Sequence, residues 1–246
     1  MHVIYRISNN SYSKKRLSYA SKEFCLQNFV STVLTHDDQM TIIADAVDES
    51  LERFIKKFEN DKITVLKKNL RSNGACFRYQ LDYCLTLPKD EIVLFQEDDY
   101  LYKPSHWPYE QAQNITYASL ITDCLKMADY VSFYDHPDKY IAPALGGNPF
   151  IDRNGVENTG VFLTKNSHWK YTNSTTCTFA TTVKTIQKDI NVWKTFCPGD
   201  HPHDYQSFVA LGLKGRKLAT SIPGKSTHCD IEYLSPFHHN QQPCPY

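Results

Sequence analysis

Three carboxylates stand side by side at Glu97, Asp98 and Asp99, directly after the apolar run from Glu91 to Gln96. Adjacent carboxylates repel one another, and a divalent cation among them relieves the repulsion. Hard oxygen donors suit Mg2+ or Mn2+. An ion so placed holds a diphosphate and absorbs charge as that group departs. Further candidates come later. Asp204 opens an apolar-periodic stretch running to about Leu213, and a carboxylate there can act as general base, with Asp200 as its substitute. His228 follows Lys225, Ser226 and Thr227, which offer donors to phosphate oxygens. Asn158, Thr159 and the run Tyr171 to Thr176 are rich in amides and hydroxyls, and Trp107, Trp169 and Tyr171 present flat apolar faces. Sugars are recognised by such groups. His201 and His203 are not read as zinc ligands. Pro202 lies between them, so they do not share a helix face as two zinc-binding histidines would. Each candidate also has a plainer role: a solvated acidic turn, a helix cap at Asp204, or a cap at Ser174 or Thr176 for a helix starting near Thr178.

These groups need a scaffold that points them at one place. His2 to Ile7, Met40 to Val47, Ile63 to Leu66 and Glu91 to Gln96 read as buried strands. Lys22 to Leu34, Glu49 to Phe58 and Ala75 to Leu87 read as the helices between them, the last preceded by an Asn73-Gly74 break. This alternation implies an α/β fold with a mostly parallel central sheet and right-handed crossovers. In such sheets ligands bind beyond the carboxyl ends of the strands, and the acidic triplet lies at one. The second half is less regular. Asn114 to Met127 and Thr178 to Trp193 read as helices. Asp129 to Tyr134, Gly160 to Thr164 and Lys217 to Ile222 read as strands, and Ile141 to Asn158 as loop.

The totals agree with a folded α/β chain. The chain has 246 residues, 41% hydrophobic and 13% aromatic, enough to build a core and too apolar for disorder. Its 27 basic and 27 acidic residues cancel, so no global field draws it to nucleic acid or an anionic membrane. No run approaches the roughly 20 apolar residues that cross a bilayer, and the start is too short and polar for a signal peptide. The eight cysteines form no C-x-x-C pair and read as free thiols in a reducing compartment. We therefore expect a cytoplasmic protein, in which the sequons at Asn9, Asn114 and Asn173 are chance matches.

Residues 2 to 102 resemble inverting nucleotide-sugar glycosyltransferases of the GT-A fold, family 2-like. The resemblance rests on Asn73-Gly74-Ala75, Arg78, the helix that follows, and IVLFQEDD ending at Asp99. It implies a single GT-A-like (Rossmann-like) domain over 1–246, with a nucleotide-binding half at about 1–102 and an acceptor half at about 103–246. Glu97, or Gln96 if the register slips by one, stands where the family has the first Asp of its D-x-D metal motif. The resemblance implies metal ligation by Asp99 with Glu97 and a late histidine, His228, and ribose or water contacts at Asp98. It also implies a nucleobase contact at Asp45 or Asp48, nucleotide contacts at Asn73 and Arg78, and Asp204 as the base. Expected partners are a nucleotide-diphosphate sugar, taken to be a UDP-sugar, and a glycan, glycoprotein or glycolipid acceptor; the expected cofactor is Mn2+ or Mg2+. The rivals are a sugar-nucleotide pyrophosphorylase, an idle carbohydrate-binding module of the same fold and a metal-dependent phosphohydrolase.

Overall fold

The computed structural model describes residues 1–9, 14–105 and 114–236. Four parallel strands form the first part of the sheet: β1 (His2–Ser8), β2 (Gln39–Asp45), β3 (Ile63–Lys68) and β4 (Ile92–Gln96). The helices α1 (Lys22–Thr32), α2 (Glu49–Lys56) and α3 (Asn73–Cys84) connect them. β1 and all but the first residue of β2 are buried, as expected for parallel strands covered on both faces. Val3, Tyr5 and Ile7 of β1 face one core with Leu26 and Phe29 of α1 and Leu51 and Ile55 of α2. Ile4 faces the opposite core with Phe77 and Leu81 of α3. Period-two alternation along one strand thus feeds two helix layers.

Beyond this part come β5 (Tyr100–Tyr102), α4 (Tyr117–Cys124), β6 (Tyr130–Ser132), β7 (Val161–Leu163), β8 (His168–Thr172) and β9 (Phe179–Thr182). They are followed by α5 (Val183–Thr195), α6 (Asp204–Leu213), β10 (Leu218–Ile222) and β11 (Ser226–His228). Nine strands make the main sheet in the order β3-β2-β1-β4-β9-β6-β10-β8-β7. Among them only β8 and β9 run against the rest. The expected mostly parallel sheet flanked by helices is present.

Several elements differ from the sequence reading. Thr178 to Trp193 is not one helix: its first turn is β9, inserted antiparallel between β4 and β6. The cap of α5 is accordingly Thr182, which accepts from Thr185 N–H, and not Ser174 or Thr176. Trp169, Tyr171 and Thr172, read among the sugar-recognising residues, lie in strand β8, paired to β10. The helix after the third strand begins at Asn73 rather than Ala75, capped by Ser72.

Gly74 sits in the first turn of α3 because backbone approaches it there. Its N–H donates to the carbonyl of Asp200 at 2.6 Å, and a Cβ would strike the carbonyl oxygen of Gly199. A methyl group must push back the 199–200 chain that leads into α6 and Asp204. Gly74→Ala is expected to destabilise the protein by about 1–3 kcal/mol. Calorimetry of the variant beside the wild type checks it. Among the described residues no helix is long and apolar enough to cross a membrane.

Candidate active site

A cavity of about 350 Å³ opens where β1 and β4 end. Parallel pairing places Tyr5 beside Gln96, so the residues that follow both strands meet. Ser8 N–H donates to Asp98 Oδ2 at 2.8 Å. Lys22 Nζ, at the start of α1, reaches the same oxygen at 2.6 Å. Asp98 thus ties the end of β1 to the start of α1. Arg6 lies 3.5 Å from Glu97 Oε1 and donates to Asn73 Oδ1. Arg16 bridges Asp99 Oδ2 at 3.1 Å and Asp230 Oδ1 at 3.0 Å, while Lys14 pairs with Asp230 at 2.8 Å. The chain from Lys14 to Leu17 is laid along β11 and its continuation: Leu17 N–H bonds the Cys229 carbonyl, and Ile231 N–H the Lys15 carbonyl. The acidic triplet is therefore answered by cations from both ends of the β1–α1 connection.

The charges decide protonation. Burial pushes the Glu97 carboxyl up to about 8, and Asp99, Asp204 and Asp98 add to the rise against the pull of Arg6. Asp204 is raised too, by burial, against the lowering effects of the Tyr205 N–H and of His136 and His203. Position at a helix start favours ionisation, so burial is what keeps this carboxylate basic. Asp204 is not a cap: the N-cap is His203, and Asp204 Oδ1 accepts from Tyr205 N–H at 2.7 Å within the first turn.

The donor set suits a divalent cation in part. Asp99 Oδ1 is buried with no hydrogen-bond partner, and Glu97 is crowded by like charge. Both are oxygens that a cation would relieve. Among the described residues, however, no group of three or more His, Cys, Asp or Glu is arranged to hold a metal alone. Diphosphate and water would complete the shell, as Mg2+ and Mn2+ sites commonly do. His228 does not present the lone pair that ligation requires. Its Nδ1 accepts from Asp230 N–H at 3.0 Å, which places the ring hydrogen on Nε2, 3.5 Å from Asp99 Oδ2. The expected ligand is a hydrogen-bond donor.

Other expectations sort by place. Glu97, Asp98, Asp99, Asn73, Asp204 and His228 line the one cavity. Asp45 does not; it is buried and accepts from the N–H groups of Leu70 and Arg71, fixing the β3–α3 turn where Arg71 has φ 59°. Asp48 caps α2 through Leu51 N–H and is bonded to Asn9. Arg78 donates to the carbonyls of Cys197 and Gly199, clamping α3 to the chain before α6. Trp169 cannot stack on a sugar: it is fully buried, with Nε1 on Thr164 Oγ1. Asn158 and Thr159 line a separate shallow hollow with Glu157 and Tyr171. Ser226 and Thr227 are buried in β11, and Lys225 Nζ donates to the Ser105 carbonyl, whereas the cations lining the cavity are Arg6, Lys14, Arg16 and Lys22. Trp107 lies outside the described residues. Sequence reasoning passed over Arg16, Lys22, Tyr134, His136 and Tyr233, all of which line the cavity. One signal was available for His136: His136-Pro137-Asp138 repeats the His-x-Asp spacing of His228-Cys229-Asp230.

By sequence the chain matches no family model and no curated protein. Among solved structures it is similar to galactosyltransferase LgtC in complex with donor and acceptor sugar analogs, at 11% identity, 89% of this chain, 73% of that one and TM-score 0.43. It is also similar to S. aureus TarS, at 15% identity, 94% of this chain, 58% of that one and TM-score 0.48. A third likeness is to the 4-diphosphocytidyl-2C-methyl-D-erythritol synthase of Anaerococcus prevotii, at 12% identity, 91% and 88% coverage and TM-score 0.45. The chain has an α/β fold with a mostly parallel central sheet flanked by helices. All three likenesses have TM-scores below 0.5, and the chemistry rests on the cavity.

Proposed function

We propose that the protein transfers a sugar from a nucleotide-diphosphate donor to an acceptor hydroxyl, in one GT-A-like unit whose nucleotide half spans about 1–102 and acceptor half about 103–246. One observation carries this reading: a carboxylate raised by burial, Asp204, shares a cavity with the acidic triplet and with Arg6, Lys14, Arg16 and Lys22. That is a proton acceptor facing a diphosphate grip. Asp204 takes the proton of the acceptor hydroxyl, and the oxygen attacks the anomeric carbon. The bond from that carbon to the β-phosphate oxygen breaks, leaving its electron pair on the nucleoside diphosphate. Arg16 and Lys22 hold the diphosphate by charge, Arg16 with a fork that suits paired phosphate oxygens. Asp99 and Glu97 would hold Mn2+ or Mg2+, which supplies further neutralisation of the departing charge when bound. In-line attack from the Asp204 side gives inversion. A UDP-sugar is the donor to test first, and the sugar is hexose or pentose. The Asn158–Thr159 hollow lies outside the reacting cavity and suits a more distant part of a glycan, glycoprotein or glycolipid acceptor.

A second reading has one specific support. Cations placed just after β1 are what a nucleotidyltransferase uses to hold a triphosphate. The two are separated by their products: the transferase releases nucleoside diphosphate from a nucleotide sugar, the nucleotidyltransferase releases pyrophosphate from NTP and a sugar 1-phosphate. An idle module binds nucleotide and releases neither.

A screen of UDP-, GDP- and dTDP-sugars with Mn2+ tests the proposal. A correct donor nucleotide at a hundredfold excess over its Kd adds about 2.7 kcal/mol. For a chain of this size that corresponds to roughly 5–10 °C in Tm. Nucleoside diphosphate should appear with the same donor. No shift and no release with any of them would defeat the reading.

A further inference from the structure

Cys25 and Cys229 stand 204 positions apart in the chain, yet their sulfurs lie 3.6 Å from each other. Both side chains are fully buried. Among the described residues they are the one pair of thiols in hydrogen-bond contact. The surroundings are apolar, with Ala20, Leu17 and Leu101 packed on the pair. Each backbone is fixed where it stands. Cys25 lies in the first turn of α1 and donates its N–H to the Ser21 carbonyl at 2.9 Å. Cys229 directly follows β11. It donates its N–H to the Asp99 carbonyl at 2.8 Å and accepts from Leu17 N–H at 3.0 Å.

The two segments that carry these thiols also hold the acidic triplet. Lys22, three residues before Cys25 and so its neighbour on the surface of α1, reaches Asp98 at 2.6 Å. Cys229 sits between His228, which faces Asp99, and Asp230, which takes Arg16. A disulfide holds its sulfurs about 2 Å apart, so two sulfurs already in contact need only a small approach to bond. The contact with Cys25 and burial both push the Cys229 thiol up. The thiolate is the form that reacts, so exchange belongs to a state in which the apolar pocket is open or the chain is still folding.

We propose that Cys25 and Cys229 are a disulfide site, closed by exchange with a small disulfide such as oxidised glutathione, and that the bond fastens α1 to the end of β11. One protein thiolate attacks the small disulfide, forming a mixed disulfide and releasing one small thiol. The other protein thiolate then attacks the mixed disulfide at the protein sulfur and releases the second. Overall two protein thiols are oxidised to one S–S bond, and the small disulfide is reduced to two thiols that take up the two hydrogens. The link closes the chain from 25 to 229 into a single loop, and long loops restrict the unfolded state more than short ones. The bond stands apart from the reaction assigned to the cavity, and its test needs no substrate.

Peptide mapping tests it on the full wild-type chain. One sample is held folded in a buffer of reduced and oxidised glutathione. A second is refolded from denaturant in the same buffer, so that access to the pocket does not limit the reaction. Each is then denatured in iodoacetamide without reductant and digested with trypsin and chymotrypsin, which cuts at Tyr233 and so separates Cys229 from Cys244. A linked pair of peptides carrying Cys25 and Cys229, split by dithiothreitol, is the expected result, with the other cysteines alkylated. The oxidised protein should melt roughly 5–15 °C above the reduced one. That difference should vanish in Cys25→Ala and in Cys229→Ala, each compared with itself under the two conditions. Alkylation of both cysteines in both wild-type samples overturns the proposal, as does linkage of either one to a different cysteine. A Cys25–Cys229 bond that leaves Tm unchanged overturns the claim that it fastens the fold.

Discussion

Asp204→Asn should cut sugar transfer and donor hydrolysis at least ~100-fold while leaving nucleotide affinity intact. The amide keeps the size of the carboxylate and its bond from the Tyr205 N–H, so α6 has no reason to unwind. What it loses is the ability to accept a proton. Asp204 is well suited to that task because burial raises it while the Tyr205 N–H, His136 and His203 restrain the rise. A base nearer to neutral pH removes a hydroxyl proton more effectively than a solvated carboxylate does. In the proposed mechanism donor binding is set elsewhere, by Arg6, Arg16 and Lys22 against the triplet, and should be untouched. Calorimetric titration with UDP beside a product assay separates the two effects. Near-normal turnover in Asp204→Asn would move the base to Asp200 or to the substrate.

Asp99→Ala should remove the part of UDP affinity that depends on Mn2+, a loss of at least ~100-fold when the metal is present. Asp99 holds two things at once. Its Oδ2 takes Arg16 and faces His228, and its Oδ1 is buried with no partner. An orphaned anionic oxygen in a buried site is costly unless a cation reaches it. Truncation also frees Arg16 from one of its two carboxylates, and the guanidinium can then turn fully to a diphosphate. The variant should therefore keep weak, Mn2+-independent UDP binding that falls as salt is raised. If wild type and Asp99→Ala bind UDP equally in Mn2+, Asp99 is no metal ligand. The cations of the β1–α1 connection then carry the diphosphate alone.

Local pattern revealed the first four strands and three helices well. Each strand is a short apolar run and each helix starts behind a Ser or Asp cap, with α2 clearly amphipathic. The second half was read poorly where pairing partners are remote. Phe179 lies at helical spacing from Val183 and Ile186 of the helix that follows, so Phe179–Thr182 reads as its first turn. Only a slot between β4 and β6, with partners more than 40 residues away in sequence, makes it a strand. Trp169 looked available for sugar stacking, yet the placement of β8 beside β10 buries it completely. Arg16 and His136 were passed over for a related reason: a basic run in a loop and a lone histidine are ordinary surface features until the chain is folded.

The sequence by itself determined the acidic triplet at a strand end, the alternation that builds a parallel sheet, and a late carboxylate at a helix start. These follow from local rules, because hydrophobic period and strand polarity are written in neighbouring residues. Only the tertiary structure decided which charges answer the triplet and which nitrogen of His228 is turned inward. It also turned Asp45, Asp48 and Arg78 to structural contacts and brought His136 into the cavity that Asp204 lines. Hydrogen bonds and ion pairs of this kind depend on distances of about 3 Å between segments far apart in the chain, and no spacing within one segment encodes them.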